Sequence, residues 1–73
     1  MLTHTERAYM QSVGEAIKRI RSEKGITQAG IYVRSGIAQN TISNYECGQR
    51  NPTLLHLLRL SQVLGCDLKE LLP

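Results

Sequence analysis

Cysteine and histidine are both scarce, at two of each in 73 residues. Cys47 and Cys66 stand alone with no C-x-x-C pairing, and only His4 and His56 could complete a site with them. No metal set is therefore expected, and the thiols read as reduced packing residues rather than a disulfide framework. Catalysis has equally little to stand on. A nucleophile, its base and an orienting group must be able to meet, and neither histidine lies in a motif, so the chain is not expected to be an enzyme. The glycines make neither a P-loop nor a dinucleotide pattern, so no cofactor or small-molecule ligand is implied. No apolar run approaches the length of a membrane span, and MLTHTERAYM lacks the apolar stretch of a signal peptide. A cytoplasmic protein without a membrane partner is expected. Asn51-Pro52-Thr53 has a glycosylation outline that its central proline blocks. Strand alternation, internal repeats and low-complexity segments are also missing.

What is present leans basic. The formal net charge is +3 and the isoelectric point about 9.2. Lys18, Arg19, Arg21, Lys24, Arg34 and Arg50 face only Glu23 and Glu46 in that span, while Asp67 to Glu70 leans acidic. Such a distribution is the footprint of a polyanion binder, although a solvated surface with a small excess of charge would look the same.

Helical periods run through the chain. From Ser12 to Lys24, Val13, Ala16, Ile17 and Ile20 form one apolar stripe while Lys18, Arg19 and Glu23 face outward. Where this helix starts is open. Thr3 with Glu6 and Ser12 with Glu15 are both candidate capping boxes, and Tyr9 keeps the apolar spacing across the join. Residues 1–11 are then an N-terminal arm or an extension of helix 1, ahead of a domain over 12–73. Gly25 stops the helix and Thr27 caps the next, Gln28 to Ser35. That second helix holds Gly30, Ile31, Tyr32 and Val33, all mediocre helix formers, so docking of Ile31 must sustain it. Gly36 ends it, Ile37 turns inward, and a third helix starts near Ala38. Ile42 and Tyr45 fall inward there, which sends residues 39, 40, 43 and 44 outward. Gly48 stops it. Thr53 caps a fourth helix, Leu54 to Leu64, whose core face is Leu54, Leu57, Leu60, Ser61 and Leu64. Leu55, Leu58 and Val63 are left over, and His56 reads as a surface or edge-of-core residue. Gly65 stops this helix, and Asp67 with Glu70 caps a last short one, Leu68 to Leu72. The expected fold is all-α, with five helices.

Two short helices joined through a central glycine have the outline of the bihelical DNA-binding unit. In that unit the second helix enters the major groove while the first crosses the backbone. Asn and Gln can pair bidentately with adenine N6 and N7, each good pair giving ~1–3 kcal/mol of discrimination, and Ser and Thr are permissive. Taken alone, the face of Gln39, Asn40, Ser43 and Asn44 permits base reading or simple solvation.

Residues 13–72 resemble the Cro/phage-repressor type of helix-turn-helix domain, the XRE-like family. The matching residues are Val13-Gly14, Ile17, Ile20-Arg21, Gly25-Ile26-Thr27-Gln28, Gly36-Ile37, Thr41-Ile42-Ser43, Glu46-Cys47-Gly48, Asn51-Pro52-Thr53, Leu64-Gly65 and Leu68 to Leu72. Each piece is weak alone, and their order and spacing make them specific. The resemblance implies a small repressor, Cro-like or restriction–modification controller-like, that binds a palindromic operator in double-stranded DNA as a homodimer, in a bacterial or phage setting. An antitoxin of the same fold, binding a toxin and its own operator, is the alternative. It places Gln39, Asn40, Ser43 and Asn44 at base-reading positions and Gln28, Thr41, Arg50 and Asn51 on phosphates. Arg21 and Glu46 match a buried ion pair tying helix 1 to helix 3. The surplus leucines, Leu55, Leu58, Leu68, Leu71 and Leu72, suggest the dimer interface. No sensing or catalytic domain is expected after the fifth helix. Two positions depart from the family pattern. Ala38 stands where Ser or Thr usually caps, which could move the start of the third helix. Tyr32 stands where a small residue usually packs, and is expected either to swing outward or to splay the helix pair.

Overall fold

In the computed structural model, which describes residues 1–73, the first helix, α1, runs from His4 to Glu23. Of the two candidate capping boxes the earlier one is used. The Thr3 hydroxyl accepts from the Glu6 backbone N–H at 3.0 Å, and the Glu6 carboxylate accepts from the Thr3 N–H at 2.9 Å. Twenty residues at 1.5 Å each make a rod of about 30 Å, which sets the 33 Å long dimension of the molecule.

Then follow α2 (Gln28–Ser35), α3 (Gln39–Glu46), α4 (Leu54–Leu64) and a terminal 3-10 turn (Leu68–Leu71). There is no strand, and the fold is all-α. Four α-helices form rather than five. The Asp67–Glu70 capping box does close, but only four helical residues follow Asp67. The chain closes them with i to i+3 bonds, Glu70 N–H to the Asp67 carbonyl at 2.9 Å and Leu72 N–H to Lys69 at 3.2 Å.

Side chains from every element meet in one core: Val13, Ile17 and Ile20 from α1, Ile31 from α2, Ile37 from the turn, Ile42 and Tyr45 from α3, Leu57, Leu60 and Leu64 from α4, and Leu71. Burial of Ile31 is what holds the weakly propensive α2. Leu54 is an exception to the expected core face, being 73% exposed. It opens α4 before the helix reaches the core, and Pro52, two residues earlier, is the buried residue at this end. Cys47 is exposed and Cys66 half-buried, and both are free. Burial pushes the Cys66 thiol pKa up. No helix is long and apolar enough to cross a membrane.

Candidate nucleic-acid interface

The α2–α3 turn is fixed by local hydrogen bonds. Gly36 adopts φ 76°, a left-handed conformation that glycine enters without steric cost, and its N–H donates to the Tyr32 carbonyl at 2.8 Å. The Ser35 hydroxyl donates to the Ile31 carbonyl at 2.7 Å and accepts from the Ile37 N–H at 3.0 Å. Together these aim Ile37 into the core and start α3 at Gln39. Ala38 keeps the cap position but makes no side-chain cap bond, so the helix start does not move. Instead the Asn40 side-chain oxygen accepts from the Thr41 N–H at 3.0 Å, and one orphan amide of the first turn is satisfied. Tyr32 swings outward, 52% exposed.

On α3, Ile42 and Tyr45 are buried, and the opposite face carries the expected reading positions. Gln39 and Asn40 are exposed, and Ser43, Asn44 and Thr41 are half-buried. None of the fold's side-chain hydrogen bonds uses Gln39, Ser43 or Asn44, so their polar groups are free to meet a ligand. Arg50 and Asn51 are exposed in the loop after α3.

Behind this face lies a small polar network. The Arg21 guanidinium grips the Glu46 carboxylate in a fork, Nε to Oε2 at 2.6 Å and Nη2 to Oε1 at 2.9 Å. Its Nη1 donates to the Ile26 carbonyl at 3.1 Å. The hydrogen bond that Arg21 donates to Glu46 raises the Arg21 pKa above its usual value, against the opposing effect of burial. Gln28 joins through its amide Nε2, which donates to Glu46 Oε1 at 2.9 Å. Gln28 is thus already engaged within the fold and keeps one N–H and its carbonyl oxygen for other partners. Tyr45 OH lies 2.7 Å from His56 Nδ1, which gives His56 an edge-of-core role. Burial raises the Tyr45 phenol pKa, while the nearby Arg50 charge lowers it.

Three supporting contacts escape a reading by sequence pattern. Gln28 with Glu46 and Tyr45 with His56 are tertiary pairs without a spacing signature. The third is Gly14, in mid-helix, where a Cβ would collide with the Tyr45 carbonyl oxygen and lie 2.9 Å from that of Glu46. The end of α3 rests directly on the α1 backbone there. Gly14 stood in the family resemblance, but only the helix crossing explains it.

The leucines divide unequally. Leu55, Leu58 and Leu72 are exposed at 54%, 43% and 47%. Leu71 is fully buried in the core and Leu68 packs against it, so Leu71 cannot meet another molecule and Leu68 has little area left. The expected interface loses Leu71 and most of Leu68 because the terminal turn folds that side back onto α1 and α4. An apolar cleft of about 700 Å³ opens nearby, between Leu2, Tyr9 and Met10 on one side and Leu57 and Leu72 on the other.

A fixed helix pair with a free polar face on the second helix defines a helix-turn-helix module. A helix-turn-helix family model, HTH_3, matches residues 17–71, and the chain belongs to this family of DNA-binding transcriptional regulators, the XRE type. An HTH-type transcriptional regulator of Sinorhizobium fredii, y4dJ, is 46% identical over 59 residues, covering 81% of this chain and 77% of that one. Antitoxin HipB of Escherichia coli is 39% identical over 67 residues, 84% of this chain and 75% of HipB. Among solved structures, the restriction-modification controller protein C.AhdI from Aeromonas hydrophila superposes with a TM-score of 0.82 at 29% identity, over 85% of this chain and 94% of that one.

Proposed function

We propose that this regulator binds a palindromic operator as a homodimer and acts as a small repressor. In this reading α3 lies in the major groove. Gln39, Asn40, Ser43 and Asn44 meet base edges, and Gln28, Thr41, Arg50 and Asn51 meet backbone phosphates. The observation that carries the proposal is the α3 face itself, whose Gln39, Ser43 and Asn44 side chains make no hydrogen bond within the fold. It bears no Lys or Arg, the usual guanine readers, so direct readout favours adenine-containing steps and phosphate contacts supply most of the affinity. Exposed Leu55, Leu58 and Leu72 support self-association, which would set two reading helices about 34 Å apart. The likeness to HipB extends over the same fold and does not favour an antitoxin role.

Selection of bound duplexes from a random pool tests the reading. The expected consensus has two-fold symmetry with half-sites one helical turn apart. Asn44→Ala should then weaken binding to that consensus while leaving random-duplex affinity nearly unchanged. A pool without enrichment, together with no mobility shift at any salt concentration, would sink the proposal.

A further inference from the structure

The first half of α1 does little for the fold. No residue of the helix before Val13 is buried, and the family match begins only at residue 17. Yet its side chains are ordered by position. His4, Arg7, Gln11, Gly14, Lys18 and Arg21 recur at spacings of three and four and so lie along one stripe. This stripe follows the end of α3. Arg21 holds Glu46, Gly14 touches the last α3 carbonyls, and Gln11 packs against Gly48, where a Cβ would lie 2.9 Å from its Cγ. Beyond that point His4, Arg7 and Gln11 line a polar cleft of about 270 Å³ whose far wall is Gly48. The residues after Gly48 are Gln49, Arg50 and Asn51, the loop placed on the DNA backbone above.

Arg7 has no carboxylate partner, since the chain's one ion pair is Arg21 with Glu46. The neighbouring Glu6 is turned to the cap at Thr3. Glu15 lies at the edge of the stripe, one turn past Gln11. A free cation, an imidazole and an amide therefore continue from Gly48 along about two helical turns of α1.

We infer that the N-terminal half of α1 is a second backbone-contacting strip, with Arg7 and His4 taking phosphates of the duplex strand that meets Arg50 and Asn51. This rests on the DNA reading above. The strip is sequence-blind, because phosphates carry no base information.

The test is duplex affinity against salt for the full chain and for Arg7→Ala, His4→Ala and, as a charge control on α4, Arg59→Ala. Arg7 is exposed and alanine is the best helix former, so helicity should be unchanged and is checked by circular dichroism. Arg7→Ala should flatten the slope of log K against log salt by about 1, equally on selected and random duplexes, and more than Arg59→Ala does. His4→Ala should weaken both duplexes alike. Wild-type binding with an Arg7→Ala slope no flatter than that of Arg59→Ala overturns this inference alone. A wild-type chain that binds no duplex overturns the DNA reading and this inference with it.

Discussion

Gly14 sets two residue-scale effects against each other. Helix propensity favours alanine over glycine by roughly 0.5–1 kcal/mol in mid-helix. The carbonyl oxygens of Tyr45 and Glu46 leave no room for a Cβ, and both are backbone atoms that cannot move without shifting α3. Steric cost should prevail. Gly14→Ala is expected to lower stability by about 1–3 kcal/mol in urea unfolding, whereas a gain would show that the crossing relaxes easily. Glu46 is the other sensitive residue. Its carboxylate is 4% exposed and accepts from Arg21 and Gln28. Glu46→Ala would leave the Arg21 charge unpaired at a cost of ~3–5 kcal/mol. That matches all the stability a core of this size supplies unaided, about 3–5 kcal/mol. The variant should therefore be largely unfolded by circular dichroism at 37 °C.

Among the elements, α3 is the one built with an omission. Thr3, Thr27 and Thr53 each cap a helix through the side-chain oxygen, and Ala38 does not. Its backbone already has the extended ψ of 142° that a capping residue uses. Ala38→Ser should thus restore a bond to the first turn and add about 0.5–2 kcal/mol. For a domain of this length each kcal/mol raises Tm by roughly 4–8 °C, so a thermal melt will resolve it. An unchanged melt would mean that the Asn40 bond to the Thr41 amide already fills the role. The helices were legible in the sequence wherever a cap, a period and a stop coincide, as in α2 and α4. The terminal segment had a cap and a period but lacked length, and so closed as a 3-10 turn.

On the scale of the whole molecule, self-association and core packing draw on the same kind of residue. Leu58 is 43% exposed and Leu71 is fully buried, although both read as surplus leucines in the sequence. Leu58→Asp should leave circular dichroism unchanged while shifting sedimentation toward monomer and weakening operator binding. Leu71→Ala should instead cost 2–5 kcal/mol of stability, as expected for emptying a core site. If Leu58→Asp leaves the oligomeric state of the wild type intact, the interface lies elsewhere.

Local chemistry is what the sequence determined by itself. The caps at Thr27 and Thr53, the stops at Gly25, Gly36, Gly48 and Gly65, and the 3.6-residue period of the core follow from the conformations and spacings of neighbouring residues, and all four glycines take positive φ, while the choice of Thr3 over Ser12 as the cap of α1 was left to the structure. The inward turn of Ile42 and Tyr45, which frees the polar face of α3, follows from the same period. Only the tertiary structure decided which leucines are left for a partner and how closely α1 and α3 cross. It also decided that Gln28 bonds Glu46 and that the start of α1 lies beside the Gly48 loop. These relations depend on how whole helices lie against one another, and a one-dimensional pattern does not encode the distance between two residues 18 positions apart.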